Sequence, residues 1–251
     1  MRSHGTMRRI AVVANDTGSG KTVVTAALYS ALTLAGRGTF VQKWVSTGDK
    51  NGLSTDLLTI LAAVLRKAGE PVDLPPGRVL AAKITSEKRN DLAQMNPYSF
   101  PVPVSPHLAG RLAGRPADPA RIDACVEHAR KSGAEILLVE TAGGLLTPFN
   151  EDLSMLDMVR REKCEIILVV PDILGAINQA LLCLNELRRR RMKILAVVLN
   201  GVRPEKKSVR RENGAAIMKF SGCPRILHFP GVRDQRTLLK SGTALLRSLK
   251  I

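Results

Sequence analysis

The chain has 251 residues, 45% of them hydrophobic and 3% aromatic, and carries a formal charge of +16. That length and apolar share suit one α/β domain with a sizeable core and exclude a disordered or fibrous chain. No apolar run approaches the ~20 residues of a membrane-spanning helix, and Cys125, Cys164, Cys183 and Cys223 form no Cys-x-x-Cys pair, so a metal knuckle and a disulfide framework are excluded and buried thiols in a cytoplasmic protein are expected.

Residues 1–6 show no apolar pattern and precede a second methionine, Met7, so they read as a tag remnant or disordered start, and 7–251 as a single domain. A buried strand is predicted over 10–14 and a helix over 22–35. Between them stands Asp16-Thr17-Gly18-Ser19-Gly20-Lys21-Thr22. A glycine-rich turn between strand and helix is a phosphate-binding loop: the helix N-terminus and free backbone N–H groups favour an anion. Lys21 can reach terminal phosphates, the Thr22 hydroxyl can ligate magnesium, and Gly18 and Gly20 let the backbone approach phosphate oxygens. Nucleoside triphosphate chemistry follows. The usual first glycine of such loops is absent, with Ala14 and Asn15 at that point.

Further strands are predicted at 39–43, 136–140, 166–170 and 194–200, alternating with helices at 56–68, 119–132, 152–162, 177–191, 207–220 and 235–248. Continuous Val/Ile/Leu runs fit a parallel sheet buried on both faces, so the predicted fold is a doubly wound, mostly parallel α/β sheet with helices on both faces. The proline-rich, weakly periodic segment 73–106 reads as a long excursion over the carboxyl edge, where ligands gather in such folds. Lys43, Glu140 and Asn200 each finish a strand there.

Lys43 reads as a second cation beside the phosphates or as a strand-end lysine snorkelling into water. Asp56 and Glu140 are hard oxygen donors that can complete a magnesium site with Thr22, although Asp56 equally reads as a helix N-cap. A carboxylate closing an apolar run, as Glu140 does, is costly without a cation or hydrogen bonds beside it. Gly143-Gly144 is a tight turn whose N–H groups can meet phosphate or substrate, or a turn alone. The helix opening at Gly175-Ala176-Ile177-Asn178 can receive a carboxylate, with Asn178 also a plain first-turn residue, and Asn200-Gly201 can be only a turn.

The run Arg188-Arg189-Arg190-Arg191 ends a helix, where cations complement the dipole, and Arg203, Lys206, Lys207, Arg210 and Arg211 lie in a polar connection. With few aromatics there is no base-stacking platform, so neither a specific nucleic-acid partner nor a membrane partner is expected, and the charge attracts anionic nucleotides in general.

Lys43-Trp44-Val45-Ser46-Thr47-Gly48, Ser54-Thr55-Asp56, Ser105-Pro106-His107, Glu140-Thr141-Ala142-Gly143-Gly144-Leu145-Leu146-Thr147-Pro148, Leu174-Gly175-Ala176-Ile177-Asn178-Gln179-Ala180 and Val198-Leu199-Asn200-Gly201 stand in this order. Together with the loop they resemble the dethiobiotin synthetase family of P-loop NTPases, over roughly residues 9–232. The resemblance implies an enzyme that uses ATP and Mg2+ to join CO2 (as bicarbonate) to 7,8-diaminopelargonic acid and close the cyclic urea of dethiobiotin, in biotin synthesis. It implies that Lys43, Lys21 and Thr17 are catalytic and that Thr22, Asp56 and Glu140 hold the metal. Gly18, Ser19, Gly20, Lys21, Thr22, Val23, Asp56, Glu140, Gly143, Asn200, Gly201, Pro230, Gly231 and Val232 then bind ATP; Thr47, Gly144, Gly175, Ile177 and Asn178 bind substrate, Asn178 across a homodimer interface. His107 is assigned structural hydrogen bonding.

Four positions depart from the family pattern: Ala14 and Thr141 replace glycines, Gly18 a frequent glutamate, and Trp44 a proline. Gly18 is expected to alter amine positioning and Trp44 to reshape the mouth of the site. The same residues also admit a repurposed ATP-binding protein of this fold. A partitioning-type ATPase acting on nucleic acid or membrane fits less well, because such proteins carry an extra lysine early in the loop and lack the Ser105-Pro106-His107 and Glu140 signatures.

Overall fold

The computed structural model describes residues 6–49, 52–66, 70, 72, 78–88, 90–202, 205–223 and 225–251. Residues 1–5 of the expected N-terminal extension, 67–68 of the expected second helix, Arg203, and parts of the 73–106 excursion lie outside these.

The chain runs β1 (Arg8–Ala14), α1 (Lys21–Leu34), β2 (Thr39–Lys43), β3 (Val45–Thr47), α2 (Thr55–Ala62), α3 (Arg78–Glu87), α4 (Leu92–Met95), β4 (Tyr98–Phe100), α5 (Pro106–Leu112), α6 (Pro119–Lys131), β5 (Ile136–Glu140), α7 (Met155–Arg161), β6 (Glu165–Pro171), α8 (Ala176–Arg189), β7 (Ile194–Asn200), α9 (Lys207–Ser221), β8 (Ile226–Phe229) and α10 (Gln235–Leu249). Six strands form one sheet in the order β2-β5-β1-β6-β7-β8, every neighbouring pair parallel. This is the doubly wound sheet with helices on both sides that the apolar runs predict. All five residues of β5 are buried, as are most of β1, β6 and β7, so the core lies along both faces of the sheet.

Register places the chemistry. Lys43 pairs with Glu140 across β2 and β5, and Glu140 with Val12 across β5 and β1, so two strand-ending side chains stand side by side next to the loop leaving Ala14. α1 packs closely on α10 behind that loop: a Cβ on Gly242 would lie 2.0 Å from the Ala27 carbonyl oxygen, so only glycine lets these helices approach so far.

Three strands and three helices escape the sequence reading. β3 and β4 pair as a two-stranded parallel sheet of three residues each, too short for periodicity to register, and β8 is four residues with an exposed His228. The 73–106 excursion, expected to be irregular, contains α3, α4 and β4, and α5 follows it with Pro106 in its first turn. α2 stops at Ala62, short of the predicted end. α7 begins at Met155 because Ser154 caps it with a reciprocal Ser154–Asp157 capping box, and Asn150 turns the residues before it. Cys125, Cys164 and Cys223 are buried free thiols, whereas Cys183 is half-exposed.

Candidate active site

The loop between β1 and α1 is held in shape from within. Gly18 and Gly20 have φ of 75° and 85°, the left-handed region that glycine tolerates. The Ser19 hydroxyl is buried and bonds to Asn15 Oδ1 (2.9 Å) and the Asp16 carbonyl (2.8 Å), so it braces the loop from inside. The Asn200 amide, from the end of β7, donates to the Ser19 carbonyl (3.0 Å), and a Cβ on Gly20 would strike that amide at 2.1 Å. The Lys21 ammonium arches back to the carbonyls of Asp16 (3.2 Å) and Gly143 (2.7 Å), closing the loop against the turn after β5.

Beside Lys21 the strand ends converge. Lys43 Nζ lies 2.6 Å from Glu140 Oε1 and 2.7 Å from Asp56 Oδ2. Thr22 Oγ1 lies 3.0 Å from Glu140 Oε1 and 3.1 Å from Asp56 Oδ1. Lys43 does not snorkel; it is buried among these groups. Asp56 is not the cap of α2 either, because Ser54 Oγ accepts from Leu57 N (3.2 Å) and leaves the Asp56 carboxylate free to face the site.

Burial sets the charge states. Desolvation lowers the Lys21 pKa to about 8, with the neighbouring Lys43 pushing the same way. For Lys43, desolvation opposes the ammonium, yet Glu140 and Asp56 outweigh it and hold the pKa above the usual lysine value. Burial raises the Glu140 carboxyl in spite of Lys43, while at Asp56 the attraction of Lys43 overcomes desolvation and keeps the pKa low.

The fit to a divalent cation rests on the donor set. Glu140 Oε2 is buried with no hydrogen-bond partner, beside a hydroxyl and a second carboxylate, and hard oxygen donors of this kind suit magnesium. Among the described residues no cluster of three or more His, Cys, Asp or Glu exists, so the protein contributes only part of a cation's shell here.

A cleft of about 620 Å³ gathers most of the residues singled out in the sequence: Thr17, Gly18, Gly20, Lys21, Thr22, Val23, Lys43, Asp56, Glu140, Gly143, Asn200, Gly231 and Val232. Thr55, which stands in the Ser54-Thr55-Asp56 segment without being singled out, also lines it, as do Thr59 and Val202, to which no motif pointed. Ser19, Gly201 and Pro230 do not line it, and Thr47 sits half-buried in β3 away from it. Gly144 lines a second cavity of about 490 Å³ with Asn15, Asp16, Leu146, Thr147, Gln179 and Leu182. Gly175, Ile177 and Asn178 stand at the start of α8 beside that cavity and away from the nucleotide cleft; the link is a 2.7 Å bond from Asn15 Nδ2 to Gln179 Oε1. Asn15 and Gln179 each stand in a quoted segment but have no role in the sequence reading, because the bond between them joins residues 164 apart in the chain. His107 Nδ1 lies 3.0 Å from Ser105 Oγ, at the start of α5.

Of the four departures, Trp44 does not reshape the mouth. Its ring is fully buried and its Nε1 donates to Gln42 Oε1 (2.8 Å), so it belongs to the core behind β2. Thr141 bonds to the Val12 carbonyl through both its N–H (3.2 Å) and hydroxyl (3.3 Å). A Cβ on Gly18 would meet nothing within 4 Å, so this position is open to the cleft.

The family model described as "AAA domain" matches residues 8–236. The ATP-dependent dethiobiotin synthetase of Nitrosospira multiformis is 32% identical over 229 residues, 90% of this chain and 91% of that protein. Dethiobiotin synthetase 1 of Escherichia coli K12 is 32% identical over 78% of this chain and 79% of its own length. Among solved structures, cobyrinic acid a,c-diamide synthase from Mycobacterium smegmatis with bound ADP and magnesium superposes with a TM-score of 0.51 at 14% identity, covering 98% of this chain and 95% of its own; that likeness is one of fold.

Proposed function

This chain belongs to the dethiobiotin synthetase family, and we propose that it is an ATP-dependent ligase that carboxylates 7,8-diaminopelargonic acid and closes the ring to dethiobiotin. The observation that carries the reading is that Lys43 and Thr22 each lie within 3.1 Å of both Glu140 and Asp56, beside Lys21. Two lysines and two carboxylates brought from four separate segments into one cleft suit a site that handles a highly charged reacting group.

The reaction needs charge stabilised three times. One substrate amine adds to carbon dioxide and releases a proton, giving a carbamate. The carbamate oxygen attacks the γ-phosphorus of ATP, breaking the bond to ADP. The second amine attacks the carbonyl of the resulting mixed anhydride, expels phosphate and loses a proton as the ring closes. Lys21, reaching back over the loop, contacts the terminal phosphates and bears the charge that develops on ADP. Lys43 lines the cleft beside the two carboxylates, its ammonium holding the carbamate against the γ-phosphate, and Thr17 lines the same cleft. Thr22, Asp56 and Glu140 would hold Mg2+, which supplies charge neutralisation for the phosphates when bound. Asn200, Gly231 and Val232 line the same cleft, and to them falls the base of ATP. The second cavity, with Gly144 and the start of α8 carrying Gly175, Ile177 and Asn178, receives the chain and carboxylate of the diamine, and a second copy of the protein completes it as a homodimer.

Purified protein incubated with diaminopelargonic acid, bicarbonate, magnesium and ATP is expected to form dethiobiotin, detected by mass spectrometry and dependent on all four additions. ATP binding without product would reject the ligase reading and leave a repurposed nucleotide-binding protein.

A further inference from the structure

The positive charge is concentrated at one end of the chain. Residues 186–251 hold 17 of the 38 lysines and arginines but 4 of the 22 aspartates and glutamates, so 13 of the 16 net charges sit there. The fold gathers several of these at the amino ends of β7 and β8, opposite the phosphate loop. Arg188, in the last turn of α8, donates to the carbonyl of Ser221, the last residue of α9, and Arg225, entering β8, donates to the Leu195 carbonyl in β7 (3.1 Å). Arg191 and Lys219 are exposed beside them.

Neighbouring cations are neutralised: Arg189 and Arg190 pair with Glu186, and Lys193 with Glu165. Among the described residues no carboxylate pairs with Arg188, Arg191, Lys219 or Arg225. The C-termini of α8 and α9 lie at this cluster, each worth about half a negative charge, which leaves most of four full charges unopposed. Phe220 is 70% exposed in the same patch, with the Lys219 ammonium 5.7 Å from its ring centroid.

A row of unpaired cations suits a polyanion, planar guanidinium forks held by backbone carbonyls suit phosphodiester oxygens, and an exposed ring gives a base a face to stack on. We propose that this face binds the phosphodiester backbone of nucleic acid without sequence preference. The low aromatic content argues against base readout, which backbone binding does not require.

The test is fluorescence anisotropy of labelled oligo(dT) and of a mixed-sequence duplex, titrated with the full chain across a salt series. Four contacted phosphates give a slope of log K against log[salt] of about −2.8 on a single strand. Arg191→Ala with Lys219→Ala, both exposed, should reduce that slope by about 1.4 and weaken binding about 25-fold at ~0.1 M salt. Phe220→Ala should weaken oligo(dT) more than duplex, and Lys21→Ala should bind both as the parent does. Loss of binding in Lys21→Ala would move the interaction to the phosphate loop and overturn the proposal. So would a double variant that binds as tightly as the parent, or capture by phosphatidylserine vesicles with no binding of either oligonucleotide. Failure of the ligase assay has no bearing on these outcomes.

Discussion

Lys43→Met tests the electrostatics at the centre of the cleft. The substitution keeps an unbranched chain but removes the ammonium 2.6 Å from Glu140 and 2.7 Å from Asp56. Asp56 reaches solvent, whereas Glu140 is 1% exposed and its Oε2 already lacks a partner. Stripping one partner from a buried pair costs about 3–5 kcal/mol when the remaining charge stays ionised. Glu140 avoids that cost by taking up a proton, and because burial already raises its pKa with Lys43 opposing, removing Lys43 raises it further. A carboxyl with a raised folded pKa contributes stability that is fully present below the unfolded value and lost as pH rises through the folded value. The deficit of the variant is therefore small near pH ~5 and grows by up to about 1.4 kcal/mol per pH unit towards about 3 kcal/mol. Urea denaturation of both proteins in EDTA, at matched pH values from mildly acidic to mildly alkaline, measures the gap directly. Adding Glu140→Gln to the variant should abolish its pH dependence. A gap that stays constant with pH would refute the dependence of Glu140 on Lys43.

Three further outcomes follow from the geometry. Lys21 titrates near pH 8 in the free protein, and bound triphosphate favours its charged form, so nucleotide binding takes up a proton at alkaline pH. ATP affinity should be flat below pH ~7 and fall by up to about tenfold per unit above pH ~8; calorimetry in buffers of different ionisation enthalpy reads the proton uptake, and a flat alkaline limb would exclude Lys21 as the titrating group. Asn96 donates to the carbonyls of Lys43 (2.8 Å) and Tyr98 (3.0 Å) and accepts from Ser54 N (3.2 Å), so Asn96→Ala should cost about 2–4 kcal/mol and lower kcat although Asn96 does not line the cleft; an unchanged melting temperature would show these bonds carry no weight. Trp44→Phe strands Gln42 Oε1 and should cost about 1–3 kcal/mol while leaving the KM for ATP unaltered, and a raised KM would return Trp44 to the mouth of the site.

The β1–loop–α1 unit was legible because strand, glycine-rich turn and helix are each local signals, and the parallel sheet because its buried strands are continuous apolar runs. Lys43, Glu140 and Asn200 were legible for a related reason: each ends such a run, and parallel strands deliver their carboxyl ends to one edge. What orients Asp56 was not legible. Its position depends on Ser54, whose hydroxyl donates to Ser46 Oγ (3.0 Å) and whose N–H bonds to Asn96, and on Asp49, which accepts from Thr55. Those contacts span up to 42 residues and run through two three-residue strands, where no periodic pattern can form.

The departures in the phosphate loop have the same logic of compensation by distant groups. Ala14, at a usual glycine position, is fully buried at the end of β1 and paired with Val169, so its methyl fills core space. Asn15, next to it, is bonded on both sides, accepting from Ser19 and donating to Gln179 of α8. Thr141 is tied twice to Val12. Each change is absorbed by a hydrogen bond or by packing, and none disturbs Lys21, Thr22, Lys43, Asp56 or Glu140. Gly18 alone faces open space without compensation. Gly18 also holds a φ of 75°, which strains any side chain placed there, so on the proposed ligase reading Gly18→Glu should move the KM for ATP through the loop as well as the KM for the diamine, and an unmoved KM for ATP would show that the loop absorbs the strain.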